Sequence, residues 1–407
     1  MVLRNIQSRF LLPLIRYISF VLTRVILLCR YSEPTTKAHP QPRMSRPKKE
    51  SPEKRQVPQQ SSWFVHFSVD LFAKILRRSI FHPFICWLLP LCLRARTVKW
   101  ESPPMVGAFA WAVLISVAWL AGLVNDRVAH GPPREVDLDE EVIVITGGAG
   151  GMGLLLAEVY GMRGASVAVL DVAEMEDADE RGVTFYKCDV GDSKQLARVA
   201  AQIEEDLGTP TVLINNAAVV AGRSLLNISI EELDKSLRTN LVAPFYCIKT
   251  FLPGMVRGGR GGTVVNISSV IGHLGAARLA DYAASKAGIS ALHKSLTAEL
   301  RETHPEIRTV LVTLGQLSTP LFYGVETPNS FMAPVVEPVD VVKEMVDAID
   351  RGRGATIALP LYARWVDWYN VLPAGLQIIA RKIAGVDRGM RTFRGRGAIR
   401  DSEISIK

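Results

Sequence analysis

Residues 141–153 read Glu-Val-Ile-Val-Ile-Thr-Gly-Gly-Ala-Gly-Gly-Met-Gly, and the helical pattern Leu-Leu-Leu-Ala-Glu-Val-Tyr-Gly follows at once. An unbroken run of β-branched residues without polar alternation predicts a strand buried on both faces. The glycines predict a turn tight enough for the backbone to approach a pyrophosphate, whose charge meets the free amides of a helix N-terminus. Gly147, Gly151, Met152 and Gly153 are therefore candidate contacts to a dinucleotide. A second apolar run, residues 166–172, carries Asp171 at its end, eighteen residues beyond Gly153, where a carboxylate can accept hydrogen bonds from the adenosine ribose hydroxyls. A carboxylate there repels a 2′-phosphate, so NAD(H) is favoured, with NADP(H) as the alternative. Taken alone, Asp171 also reads as an ordinary acid capping a turn or helix.

Outward from this stretch, short Val- and Ile-rich runs at 183–190, 211–217, 263–269, 308–315 and 355–360 alternate with segments of helical period. Strands buried on both faces and alternating with helices predict an α/β fold, a Rossmann-type doubly wound parallel sheet. In that fold the carboxyl ends of the strands face the ligand crevice. Asp189 and Val190 close the third run, and Asn215-Asn216-Ala217-Ala218 closes the fourth. Turn chemistry is the plainer explanation of such Asp and Asn residues.

Residues 281–300, DYAASKAGISALHKSLTAEL, predict one helix carrying Tyr282 and Lys286 at i and i+4, on the same face. A cation beside a phenol favours the phenolate and turns a tyrosine of ordinary pKa near ~10 into a usable acid/base. Tyr-x-x-x-Lys by itself usually marks a solvated helix face. Here Ser269 ends the fifth strand, thirteen residues before Tyr282, and Asn240 is a lone amide in the helical stretch LDKSLRTNLVAPFYCIKTFL. His273, His293 and His304 have no metal-ligand spacing, and His293 reads as packing or surface.

Residues 138 to about 325 resemble the short-chain dehydrogenases/reductases, whose TGxxxGxG, NNAG, Asn, Ser and YxxxK elements occur here in order. The resemblance implies that Tyr282 exchanges a proton with the substrate oxygen while hydride moves between the substrate carbon and the nicotinamide. It implies that Lys286 lowers the tyrosine pKa and holds the nicotinamide ribose, that Ser269 positions the substrate oxygen, and that Asn240 holds a water in a proton relay. By the same carry-over, Asp189 and Val190 flank the adenine, Asn216 and Ala217 the ribose side, and Thr319 the carboxamide. Two positions depart from the pattern: Ala218 stands where NNAG has glycine, and Leu314-Gly315 where Pro-Gly is usual. The family also suggests a homodimer.

The flanks indicate a membrane. The 407 residues carry a formal net charge of +8, concentrated in the first hundred residues and the C-terminal tail. These basic residues lack the aromatic interleaving or helical motif of a nucleic-acid module. Residues 1–62 form a basic extension: 1–30 read as an organelle-targeting segment, an interfacial helix or a dispensable extension, and 31–62 as a disordered linker. Residues 63–130 read as membrane-associated, interfacial or re-entrant up to residue 94, with a transmembrane helix at 105–124, twenty residues without a charge. A buried core helix is the alternative. The catalytic domain is expected over 138–360, and 361–407 as an amphipathic extension suited to a membrane interface, a substrate mouth or a dimer contact. The five cysteines, Cys29, Cys86, Cys92, Cys188 and Cys247, lack CxxC spacing and indicate neither a disulfide framework nor a zinc site.

Together the flanks resemble the branch containing retinol dehydrogenases and lipid-droplet hydroxysteroid dehydrogenases. That implies a lipophilic alcohol or ketone as substrate and the endoplasmic reticulum or lipid droplet as location, mitochondrial targeting being the alternative. Two competing readings are a catalytically inactive nucleotide-binding membrane scaffold and a tether built on residues 63–124 with the folded domain as passenger.

Overall fold

The structure is a computed structural model that describes residues 68–395 except 176, 326, 328 and 329. The readings of residues 1–62 lie outside these residues. Three helices come first: α1 (Val69–Arg78), α2 (Pro83–Ala95) and α3 (Pro103–His130). Ser68 caps α1 by accepting from the Leu71 amide, and α1 and α2 meet at a 52° bend around residues 79–82. In α3 only Met105, Ala112 and Ile115 are buried. Ala112 and Ile115 pack on Cys86 of α2, where Trp87 donates to the Ser116 hydroxyl at 3.0 Å and stacks edge-on against Phe109. The helix extends beyond the expected 105–124, through Asp126 and Arg127, because nothing breaks it before Gly131, whose φ of 73° ends it.

The remaining elements alternate as expected. Strand β1 (Val142–Thr146) leads to α4 (Gly151–Gly161), and β2 (Ser166–Asp171) to β3 (Thr184–Lys187) and α5 (Ser193–Asp206). After β4 (Val212–Asn215) come α6 (Ile230–Leu237) and α7 (Ala243–Gly258), joined by a π-helical turn, Arg238–Val242. Strand β5 (Gly262–Ser269) precedes α8 (Ala280–Thr303), β6 (Ile307–Leu314) precedes α9 (Pro338–Asp350), and β7 (Ala355–Leu359) precedes α10 (Ala374–Ala384). All seven strands run parallel in the order β3-β2-β1-β4-β5-β6-β7, the doubly wound arrangement.

Every residue of β1, β4, β5 and β6 is buried, which explains why these strands are rich in Val, Ile and Leu without regular polar alternation. Side chains of β1 alternate between two core layers. Ile143 and Ile145 join Leu156 of α4 and Met345 of α9, while Val142 and Val144 join Ile203 of α5, Phe251 of α7 and Leu296 of α8. Helices also start where the sequence provides caps. Asp192 accepts from the Lys194 and Gln195 amides, and Ser229 with Glu232 forms a reciprocal capping box. Strand order reverses between β1 and β4, so a crevice opens at their carboxyl ends.

Candidate active site

A cleft of about 300 Å³ occupies that crevice. Its inner end is the glycine turn. Gly147 has φ of 66°, and a Cβ there would lie 2.7 Å from the Ala217 backbone, so the position requires glycine on both counts. Gly151, at φ of 60°, has open space where a Cβ would stand and lines the cleft with Met152. Gly153 does not line it. A Cβ on Gly153 would meet the Gly147 carbonyl oxygen at 2.4 Å and the Asn216 amide nitrogen at 2.6 Å, so this glycine lets α4 close onto the turn. Asn216 donates to the Thr146 and Gly147 carbonyls at 3.0 and 2.9 Å, while the Thr146 hydroxyl accepts from the Asn216 and Ala217 amides. Thr146 thus clamps the first and fourth strand ends together, a role the sequence reading did not assign.

Asp171 stands at the end of β2 and lines the cleft. Its carboxylate accepts from the amides of Ala149 and Ala173, both at 3.0 Å, and so also braces the glycine turn. Asp189, Val190, Asn216, Ala217, Ala218 and Thr319 line the same cleft, as expected of strand-end residues. Asp189 accepts from the Gly191 amide at 2.9 Å, which is the turn chemistry the plainer reading anticipated. The donors, glycines and carboxylate of this end fit an adenine dinucleotide: a helix N-terminus for phosphate, an unobstructed glycine above it, and an acid at the end of the neighbouring strand.

At the other end stand Ser269, Tyr282 and Lys286, all three lining the cleft and all buried. Ser269 ends β5, and its hydroxyl donates to the Leu314 carbonyl at 3.1 Å and accepts from the Ile271 amide at 3.3 Å. Tyr282 and Lys286 lie on one face of α8, the ammonium 5.6 Å from the phenol ring centroid. Lys286 donates to the Ile267 carbonyl at 2.8 Å. Burial pushes the Tyr282 phenol well above its ordinary value, opposed by the Ser269 hydroxyl, and pushes Lys286 down to about 8. Desolvation thus outweighs the expected influence of the lysine on the tyrosine, because the ammonium is directed to Ile267 rather than to the phenol oxygen.

Asn240 is 1% exposed but does not line the cleft. Its side chain donates to the Val219 carbonyl and accepts from the Val219 amide, both at 2.8 Å, which fastens the chain leaving β4. One donor and one acceptor site of the amide are thus committed to backbone, and the same nitrogen also reaches the Ser236 hydroxyl at 3.4 Å. The π-helical turn around it, unforeseen in a plain helical reading, turns Asn240 inward. His293 is buried too. It meets the Asn266 amide at 3.3 Å, Asn266 accepts from Asn215 at 2.8 Å, and burial pushes the imidazole down to about 4, so it is a neutral core bridge.

At the two departures from the family pattern, Ala218 lines the cleft and Leu314 ends β6 just before the retained Gly315. Gly315 cannot carry a side chain, since a Cβ would stand 2.6 Å from Pro360 and 2.8 Å from the Tyr362 hydroxyl. Leu314 keeps its place in β6, paired with Leu359 of β7. Residues the sequence reading missed lie over the Tyr282 ring: Phe322 stacks edge-on at 5.7 Å, and Met390 and Phe393 come from the C-terminal segment. Two glycines, Gly222 and Gly324, were the available signal.

The short chain dehydrogenase family model matches residues 141–329. Short-chain dehydrogenase/reductase 3 of Homo sapiens is 31% identical over 276 residues, 65% of this chain and 90% of that protein. Epidermal retinol dehydrogenase 2 of Mus musculus is 34% identical over 219 residues, 51% of this chain and 71% of that protein. An uncharacterized oxidoreductase of Saccharomyces cerevisiae is 29% identical over 252 residues, 60% of this chain and 82% of that protein. With the parallel sheet, the glycine turn and the Ser269, Tyr282 and Lys286 cluster at the mouth of the crevice, these likenesses establish that the chain belongs to the short-chain dehydrogenases/reductases, oxidoreductases acting on CH–OH groups with a nicotinamide cofactor.

Proposed function

We propose that the protein interconverts a lipophilic alcohol, of the retinoid, steroid or long-chain lipid class, with its ketone or aldehyde at a membrane surface, using Tyr282 as acid/base. The observation that carries the reading is the convergence of Ser269, Tyr282 and Lys286 at one end of a cleft whose other end is the glycine turn and Asp171. Asp171 favours NAD(H) over NADP(H), since its charge stands where a 2′-phosphate would come. When bound, the nicotinamide supplies or accepts the hydride at the substrate carbon.

The protein's own residues handle the proton. Ser269 holds the substrate oxygen beside the phenol. Tyr282, kept protonated by burial, donates its hydroxyl proton to that oxygen in the reductive direction and takes it back in the oxidative one. Lys286 holds positive charge beneath the phenolate formed by donation and offers its ammonium to the nicotinamide ribose. Asn240 keeps the wall after β4 in place through Val219. The apolar environment of α3 and α10, many of whose large apolar side chains face outward, supports attachment to a bilayer in which such a substrate dissolves. On this reading residues 63–130 are the membrane-associated region, 138–360 the catalytic domain and 361–407 an interfacial extension, with the endoplasmic reticulum or lipid droplet as the place of action.

The test compares the detergent-solubilised protein with Tyr282→Phe for NADH and NADPH affinity and for turnover of a panel of lipophilic alcohols and ketones. Expected are tighter NADH than NADPH binding, turnover by the parent, and a loss of at least about 100-fold in Tyr282→Phe with NADH affinity retained. Cofactor binding without turnover of any panel member would favour the inactive scaffold, and equal activity in Tyr282→Phe would remove the tyrosine from the chemistry.

A further inference from the structure

The cofactor cleft does not account for a second feature, the apolar cover over Tyr282. The phenol ring, 5% exposed, belongs to a cluster with Leu279 and Met390, and Val220, Ile271, Phe322, Val325 and Phe393 pack around it. The members come from separate parts of the chain: the segment after β4, the segment between β5 and α8, the connection from β6 to α9, and the C-terminal segment. Residues 387–395 cross the site as a strap pinned at both ends. At one end Asp387 pairs with Arg381 and accepts from the Ala277 amide at 3.2 Å. At the other, the Arg394 and Gly395 amides donate to the Tyr323 carbonyl at 3.0 and 3.2 Å. Between the pins a 3-10 turn, Gly389–Thr392, turns Met390 inward, leaving it 3% exposed.

Two glycines at positive φ make room for the strap, one in each loop flanking the site. A Cβ on Gly222, at φ of 67°, would lie 2.2 Å from the Phe393 ring, and one on Gly324, at φ of 85°, would lie 2.5 Å from the Thr392 carbonyl oxygen. Both loops are thus shaped for close approach of this segment, which lies beyond the stretch matched by the family model. A substrate whose oxygen meets Tyr282 and Ser269 has its carbon beside the nicotinamide position. The rest of the molecule must then extend along the cluster, because Tyr282 and Phe322 belong both to it and to the cleft lining.

We propose that Met390 and Phe393 form the outer wall of the substrate subsite, so that the C-terminal strap determines which apolar alcohols reach Tyr282. The inference rests on the proposed oxidoreductase reading and adds to it a specificity-determining element. Met390, unbranched and flexible, lets the wall follow a slender alkyl or polyene chain, whereas a broad ring system needs more room.

The deciding measurement uses the full-length, detergent-solubilised protein with NAD, comparing kcat/KM for a straight-chain primary alcohol and a fused-ring alcohol. Met390→Gly is expected to move the ratio at least tenfold towards the fused-ring alcohol, and Met390→Trp at least tenfold the other way. Met390→Leu should restore the parent ratio within threefold, and NADH affinity should stay within twofold throughout, which also reports that each variant is folded. A ratio unchanged within twofold in both the Gly and Trp variants, with NADH still bound, would overturn the wall while leaving the oxidoreductase reading in place. Failure of the parent to turn over any alcohol would remove that reading and the wall together.

Discussion

At the scale of single residues, the two shifted groups of the site make a pH prediction with a definite sign. Burial holds Tyr282 protonated beyond its usual range and holds Lys286 near about 8. The phenol therefore does not lose its proton first as pH rises; the ammonium does. Below about 8 Lys286 is charged and can support the phenolate left by proton donation, and above it that support is lost. The rate of carbonyl reduction is expected to hold steady from neutrality and then fall about tenfold per pH unit past the lysine's titration. Lys286→Arg, charged at every such pH, should lower the plateau but flatten the falling limb; a parent profile flat to pH 10 would show that the lysine charge is not used. Ser269, Tyr282 and Lys286 were legible in the sequence because their relation is local, one strand end and one helix face. The use of Asn240 was not, since its partner Val219 is fixed only by tertiary structure. Nor was Met390, which reaches Tyr282 from the far end of the chain.

At the scale of elements, the strands were legible because burial on both faces enriches most of them in β-branched residues, and the observed ends differ from the expected ones by three residues or fewer. The π-helical turn Arg238–Val242 was not, because helical period continues through it and only the Asn240 bonds disclose the inward turn. The glycine turn was read as a cofactor cradle, and its members differ in where they stand. Gly151 faces the cleft, whereas Gly153 is filled from behind by the Gly147 carbonyl and the Asn216 amide. Gly153→Ala must displace backbone oxygen or break the Asn216 clamp, and overpacking of this kind destabilises by about 1–3 kcal/mol. Urea unfolding should show that loss, together with at least tenfold weaker NADH binding. Gly151→Ala meets no atom, yet its φ of 60° adds strain of order 1 kcal/mol. If the two variants behaved alike, the distinction between cradle and packing contact would fail.

At the scale of the whole molecule, the catalytic fold and the N-terminal helices meet at two places on opposite ends of the sheet. The end of α3 adjoins the amino ends of β6 and β7, where Arg301 donates to the Ala129 carbonyl at 2.6 Å and His130 lies against Gly354. The start of α1 meets the carboxyl ends instead, where Asp70 accepts from the Leu361 amide at 2.8 Å and the Val69 amide donates to Phe331. The N-terminal helices and the loops at the carboxyl ends of the strands are thus mechanically joined through α1. Charge-free length made α3 legible, while the sequence did not show that residues 361–385 would break into short turns and α10 with Leu376, Ile379 and Ile383 exposed. Leu114, Val117 and Leu120 are also exposed, near the middle of a helix of about 42 Å, longer than the roughly 30 Å hydrocarbon core. A lysine at the centre of a spanning helix costs about 2.5–3.5 kcal/mol, so Leu114→Lys with Val117→Lys should remove most of the insertion free energy of α3. Alkaline carbonate extraction should then move the doubly substituted protein from the membrane pellet to the supernatant with NADH binding intact, because neither residue touches the catalytic fold. Retention in the pellet would show that α3 is not the sole anchor and would point to residues 1–30, the bent α1–α2 pair or the outward apolar face of α10.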